Sequence, residues 1–157
     1  MAAALALWSP PRRAPRVAAH LASLWSEPLN HSEPLHHSLF FYPAASTYGC
    51  TKQACAFRDN YAGFKELDCA ILGISSDAVS SQEKFSKAHS FPFPLLADTE
   101  KVYRTGLGVS GDLFGLLPGR RTIVVDKEGK CVLNYGSATA FEEHAKRALE
   151  AVKAAAK

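Results

Sequence analysis

The 157-residue chain has no uninterrupted apolar run near the roughly 18 residues that a bilayer-spanning helix requires, which argues against membrane insertion. Nor is charge of one sign abundant: 18 Lys and Arg against 15 Asp and Glu leave a net charge of +3. The excess is spread, with fifteen basic and thirteen acidic side chains in residues 38–157. The concentrated basic stripe of a nucleic-acid binder is therefore lacking. Cysteine is sparse as well. Cys50, Cys55, Cys69 and Cys131 are too few and too unevenly spaced for the disulfide framework of a small secreted domain, and working thiols in a reducing compartment fit them better. No C-x2-C pair occurs among them. This speaks against the common zinc patterns and against a thioredoxin-like disulfide reductase. No metal and no organic cofactor is expected. The histidines, including His36, His37, His89 and His144, have no ligand spacing and are read as surface or tail residues. No internal repeat is present.

What the chain does have, 47% hydrophobic and 10% aromatic residues, is enough for one ordinary core. Residues 1–37 differ from the rest. They are Ala-rich at the start, carry Pro10, Pro11, Pro15, Pro28 and Pro34, and contain no acidic side chain before Glu27. With Arg12, Arg13 and Arg16, that composition fits either a disordered tail or an organellar transit segment. A secretory signal fits less well, because prolines and arginines follow a short apolar stretch. Trp8 and Trp25 lie in this segment and carry no functional weight. The compartment stays open: cytoplasm, or an organelle, with the plastid the favoured organelle.

From residue 38 the pattern is regular. Leu39-Phe40-Phe41-Tyr42 reads as a short buried strand ended by Pro43. Residues 51–67 repeat apolar side chains at helical intervals through Ala54, Phe57, Tyr61 and Phe64. A second buried strand is expected at 70–74, a helix at 80–89 capped by Ser80 or Ser81, an extended piece at 93–96 and a short helix at 100–105. Strands at 122–125 and 131–135 flank a loop with Gly129 placed for a positive φ, as in an antiparallel hairpin. A final helix at 140–155 puts Phe141, Ala145, Leu149 and Val152 on one side. This order predicts an α/β, thioredoxin-like three-layer domain with a mixed β-sheet over residues 38–157.

The chemistry concentrates between Pro43 and Cys55. Cys50 is expected in the first turn of a helix that follows a buried strand, where unpaired backbone N–H groups and the positive end of the helix dipole favour a thiolate over a thiol. The same donors would polarise a peroxide oxygen held against the sulfur. Thr47, three residues earlier, either turns its hydroxyl inward to bind that oxygen or serves only as a helix-start residue.

The stretch from Phe41-Tyr42-Pro43 through Cys50-Thr-Lys-Gln-Ala-Cys55-Ala-Phe-Arg-Asp resembles the atypical two-cysteine peroxiredoxins of the Q type, also called bacterioferritin comigratory proteins. The resemblance continues through Leu72-Gly-Ile-Ser-Ser-Asp77, Phe93-Pro-Leu-Leu-Ala-Asp98, Asp112-Leu-Phe-Gly-Leu-Leu-Pro-Gly-Arg120 and Thr122-Ile-Val-Val-Asp126. The family's P-x3-T-x2-C motif falls on Pro43, Thr47 and Cys50, and its arginine on Arg120. The resemblance implies a thiol peroxidase in which Cys50 attacks the peroxide, Arg120 supports it and Cys55 resolves the sulfenic acid as an intramolecular disulfide. It further implies a monomer recycled by thioredoxin or a related dithiol protein. Arg121 is the weaker arginine candidate, since neighbours in a strand point to opposite faces.

In an ideal helix, Cα atoms five residues apart lie roughly 8 to 9 Å from one another, whereas a disulfide needs less than about 7 Å. Oxidation is therefore expected to unfold the chain locally between Gly49 and Cys55. Cys69 and Cys131, in or beside apolar strands, are read as inert core thiols. The chain departs from the family ahead of Leu39. His36-His37-Ser38 stands where an apolar lead-in is expected, and residues 1–37 show no strand alternation, so the amino-terminal strands are expected to be missing or divergent. Tyr48 also replaces the proline common before the Gly-Cys pair. These departures support an alternative reading, a truncated and catalytically impaired redox-sensing or binding module.

Overall fold

The computed structural model describes residues 35–111 and 115–157. Most of the amino-terminal segment, with both tryptophans and the strands expected to be missing or divergent, thus lies outside the described residues. His36 and His37 are exceptions, since they open the first strand, β1 (His36–Phe41). Then follow α1 (Tyr48–Asp59), α2 (Tyr61–Glu66), β2 (Cys69–Ser75), α3 (Val79–His89), β3 (Leu95–Ala97), α4 (Val102–Gly106), β4 (Arg121–Val125), β5 (Cys131–Gly136) and α5 (Glu143–Ala155).

The strands form one five-stranded sheet in the order β3-β2-β1-β4-β5. β1 runs parallel to β2 and antiparallel to β4, and the β4–β5 hairpin closes one edge. This is the mixed sheet expected of a thioredoxin-like domain. β1 is central because both its faces are apolar, as a continuous hydrophobic run demands. Phe40 and Tyr42 enter one core cluster with Phe57, Phe64, Phe85, Phe93 and Val152. Leu39 and Phe41 enter another, under Tyr103 of α4, with Ile74 and Ile123. The first cluster is aromatic: Phe40 stacks on Phe57 at 4.5 Å and meets Phe93 edge-on at 5.6 Å. Each buried ring of this kind contributes about 1.5–3 kcal/mol.

Several boundaries differ from the sequence expectation for local physical reasons. The helix expected over 51–67 is two helices, beginning at Tyr48 and interrupted at Asn60. There the Asn60 side-chain amide and backbone N–H both donate to the Ala56 carbonyl, at 2.8 and 3.2 Å, and end the first helix. At the start of α3 the cap position is Ala78, and no serine side chain caps it. The last helix begins at Glu143, because Phe141 N–H donates to Thr139 O (3.0 Å) and Ala140 N–H to Ser137 Oγ (3.1 Å), which holds residues 137–141 in turns. Gly129 has the expected positive φ, 81°. Asp126 Oδ1 stabilises that loop by accepting from the N–H groups of Glu128 (3.1 Å) and Lys130 (2.8 Å).

The histidines depart from expectation too. His36 and His144 are buried, not surface residues, and His37 and His89 are half-buried. His144 Nε2 donates to Ser137 O (3.0 Å) and Nδ1 accepts from the Thr122 hydroxyl (2.9 Å), which ties α5 to β4 and to the turn between β5 and α5. His89 lies flat on Phe91 at 5.5 Å.

Candidate active site

Strand β1 delivers the site at its carboxyl end. Tyr42 N–H still donates to Ile74 O (3.1 Å), after which Pro43 has no N–H to continue the ladder and the chain turns away. Ser46 turns through a positive φ of 62°, and α1 starts two residues later. Cys50 is the third residue of α1. Its N–H precedes the first intrahelical bond, from Thr51 N–H to Thr47 O at 2.9 Å, so it belongs to the donor-rich end of the helix.

The loop is held from outside by a polar chain. Tyr42 donates its phenolic proton to Gln82 Oε1, and Gln82 Nε2 donates to Ser75 Oγ at 2.7 Å. Ser75 in turn donates to Asp77 Oδ2 (2.6 Å), and that same oxygen accepts from Ala45 N–H at 2.7 Å. Burial pushes the Tyr42 phenol far above its ordinary ionisation range, so it remains a hydrogen-bond donor. Because three elements brace the loop, the position of Cys50 is set by tertiary contacts as much as by its own helix.

Arg120 reaches the sulfur. Its Nη2 lies 3.6 Å from Cys50 Sγ, its Nη1 donates to Gln53 Oε1 at 2.6 Å, and its Nε donates to Ala138 O at 3.4 Å. The guanidinium also stacks on Phe141, 4.8 Å from the ring centre. Arg120 is 6% exposed and Cys50 is fully buried. Hydrogen bonds of this kind strengthen when the acceptor carries charge, and in a dry site they strengthen further. Arg121 goes elsewhere, donating to Asn134 Oδ1 at 3.0 Å on β5. Arg120 itself lies just ahead of β4, so the two side chains diverge as a strand start and its preceding residue would.

A buried bridge sets where Arg120 begins. Arg104 Nη1 donates to Gly119 O (2.6 Å) and Nη2 to Tyr42 O (3.2 Å), which joins the backbone before Arg120 to the backbone before Cys50. Gly119 itself must be glycine: a Cβ there would stand 1.7 Å from Ser110 O.

Thr47 departs from the inward orientation expected of it. Its hydroxyl donates to Ala44 O at 3.1 Å, and the residue is exposed. It occupies the N-cap position of α1, but its side chain makes no capping bond. The tight Ala44–Thr47 turn offers a nearer acceptor, which explains both facts. Pro43 is half-buried and ends the strand.

Cys55 lies on the same helix, half-buried at the margin of the aromatic cluster, and both cysteines are reduced. Because α1 is continuous over both, the roughly 8 to 9 Å of an ideal helix separates their Cα atoms, too far for a disulfide while the helix is intact. Cys69 and Cys131 keep away from this centre. Burial pushes the Cys69 thiol up to about 12 and raises that of Cys131 as well. The two donate weakly to backbone carbonyls of Ala70 and Leu133, at 3.6 and 3.3 Å.

Sequence reasoning missed Gln53, Arg104, Asp77 and Phe141. Gln53 carried a signal, since a residue three positions after Cys50 shares its helix face. Phe141 was read as a core residue of the last helix, and only the turn ahead of α5 brings it to the site.

Residues 37–133 match the AhpC/TSA family. The chain is 47% identical over 117 residues to the chloroplastic peroxiredoxin Q of Arabidopsis thaliana, covering 74% of this chain and 54% of that protein. To the chloroplastic peroxiredoxin Q of Populus jackii it is 49% identical over 106 residues, covering 68% and 50%. The chain thus spans about half the length of these curated relatives. Among solved structures it superposes on peroxidoxin BcpB of Mycobacterium tuberculosis with a TM-score of 0.69 at 40% identity, covering 76% of this chain and 79% of that one. Peroxiredoxin Q of Xanthomonas campestris gives 0.72 at 29% identity, covering 80% and 82%.

Proposed function

The chain belongs to the AhpC/TSA family, and on that premise we propose that it is a thiol peroxidase acting on hydrogen peroxide and organic hydroperoxides. The single observation that carries the proposal is the Arg120 guanidinium against the sulfur of Cys50, at 3.6 Å, in the first turn of α1. The Cys50 thiolate attacks the distal peroxide oxygen; an S–O bond forms as the O–O bond breaks, and the leaving oxygen takes a proton to depart as water or an alcohol. Arg120 and the N–H groups at the start of α1 stabilise the charge that passes from sulfur to oxygen. Thr47 keeps its hydroxyl oxygen lone pairs and lies one helical turn away; rotation out of its bond to Ala44 O would bring it to a peroxide. Pro43 shapes the loop that carries it.

The product is a cysteine sulfenic acid. Cys55 resolves it: its thiolate attacks Cys50 Sγ, the S–S bond forms and hydroxide leaves, protonated to water. Helical separation of the two requires the first turn of α1 to open. An external dithiol protein such as thioredoxin returns both thiols by exchange. The chloroplastic names of the plant relatives support residence in a plastid, and among the described residues no helix is long and apolar enough to cross a membrane. One solved relative, the bacterioferritin comigratory protein of Xanthomonas campestris, is described by its alkyl peroxide reduction activity, which supports organic hydroperoxides as a substrate class. The working unit is read as a monomer.

The test is peroxide consumption by the full chain with a thioredoxin system, beside Cys50→Ser and Cys55→Ser. Turnover that Cys50→Ser abolishes and Cys55→Ser uncouples from thioredoxin supports the mechanism. A folded wild type that loses its thiols stoichiometrically without turning over supports the sensing module instead.

A further inference from the structure

The first turn of α1 is weakly held by its own residues. Its N-cap side chain makes no capping bond, and no acidic residue stands in its first turn to meet the dipole. A turn with such ends depends on tertiary packing. Part of that packing is the ring of Phe141. A Cβ on Gly49 would lie 2.5 Å from Phe141 Cε1, so the glycine backbone lies directly against the ring. Tyr48, 74% exposed, meets the same ring edge-on at 6.3 Å. The opposite contact of Phe141 is the Arg120 guanidinium, 4.8 Å from its centre. Ala138, in the same turn, accepts from Arg120 Nε at 3.4 Å.

One side chain therefore touches both the cation beside Cys50 and the backbone that must move for Cys55 to reach Cys50. We propose that Phe141 is a positioning residue for the peroxidase cycle, a latch that holds Arg120 in place and the first turn of α1 folded. Its release from Gly49 is the event that admits the disulfide. The consequence for turnover rests on the peroxidase reading, but the latch itself is a property of the reduced protein. Phe141 sets the balance between two fates of the sulfenic acid: capture by Cys55 when the turn opens, or a second oxidation to sulfinic acid when it stays shut.

The experiment is hydrogen–deuterium exchange on the reduced full chain, reading the backbone amides of residues 48–55 against those of β1 and β2. Loss of the ring in Phe141→Ala is expected to speed exchange in 48–55 by about three- to tenfold, leaving β1 and β2 protected, and Phe141→Tyr is expected to restore the wild-type rate. Mass spectrometry after one equivalent of hydrogen peroxide should show the sulfenate converting to disulfide faster in Phe141→Ala. Under excess peroxide, that variant should carry less sulfinic acid. If Phe141→Ala loses protection in β1 and β2, Phe141→Leu, which keeps apolar bulk over Gly49 without the ring, is read in its place. Unchanged exchange at 48–55 in a variant with intact β1 and β2 overturns the latch. Faster exchange in a protein whose wild type never reacts with peroxide upholds the latch and overturns the peroxidase reading.

Discussion

Cys50 and Cys69 are hidden from solvent to nearly the same degree, 0% and 6% exposed, yet the two regions around them are opposite in kind. Cys69 begins β2, where its neighbours are apolar and its sulfur meets the Ala70 carbonyl and the backbone of Ser38, whose hydrogen bond favours the thiolate less than burial disfavours it. Cys50 begins a helix and faces a guanidinium. Burial alone strips a thiolate of solvent and disfavours it; burial with a cation and aligned N–H groups replaces the lost water with fixed dipoles. The difference teaches that a candidate reactive thiol is picked out by what surrounds it, not by its exposure.

The sharpest way to break this comparison is Cys50→Ser, expected to slow peroxide consumption by at least about 10³-fold, the scale on which losing a nucleophile registers, while Cys69→Ala leaves the rate intact. A result in which both variants lose activity equally would erase the distinction. Next in size is the cation. Arg120→Met should slow the first oxidation of Cys50 by about 10²-fold, as the loss of one transition-state donor does, and Arg121→Met should leave it unchanged; stopped-flow single turnovers report both. Cys69→Ala itself should cost about 1 kcal/mol of unfolding free energy in a denaturant titration.

Alkaline pH sharpens the same contrast from the stability side. The Cys69 thiol is held up to about 12 in the folded chain against an ordinary value of 9.0. Between those values the unfolded chain gives up the proton and the folded chain keeps it, so this contribution to stability is full below pH 9 and lost as pH climbs toward 12. Cys69→Ala should lose less stability than wild type over that range. The smallest effect belongs to His37, whose ionisation is lowered from 6.5 by burial and then by the neighbouring His36. A folded state that binds the proton less well than the unfolded one is most stable above pH 6.5 and weakens as pH falls below it. His37→Gln should flatten that acid limb in thermal melts.

Much of this arrangement was legible in the sequence because it rests on local pattern. The apolar run at Leu39–Tyr42 declares a buried strand, the glycine in 126–130 declares a hairpin, and Cys50 after strand and loop declares a helix start. Arg120 was reachable only through a resemblance, since its distance of seventy residues from Cys50 carries no periodic signal. What stayed illegible depends on competition between nearby acceptors. Thr47 gives its proton to Ala44 instead of turning inward, Asn60 cuts one expected helix into two, and the turns around Ser137 and Thr139 take Phe141 out of the last helix. His144 was misread for a similar reason: its isolation in the sequence conceals a hydroxyl on β4 and a carbonyl at Ser137 that satisfy both ring nitrogens.

Arg104 clasps Gly119 O and Tyr42 O with two of its donors, the last backbone stations before Arg120 and before the Pro43 loop. In mechanical terms it is the pivot pin of a pair of tongs whose jaws are the sulfur and the guanidinium. A lesion at that pin would leave every reactive group chemically sound and misaligned by a fraction of an ångström. Such a variant would pass for wild type in a thiol count and in a fold assay, and betray itself only in the speed of a single oxidation.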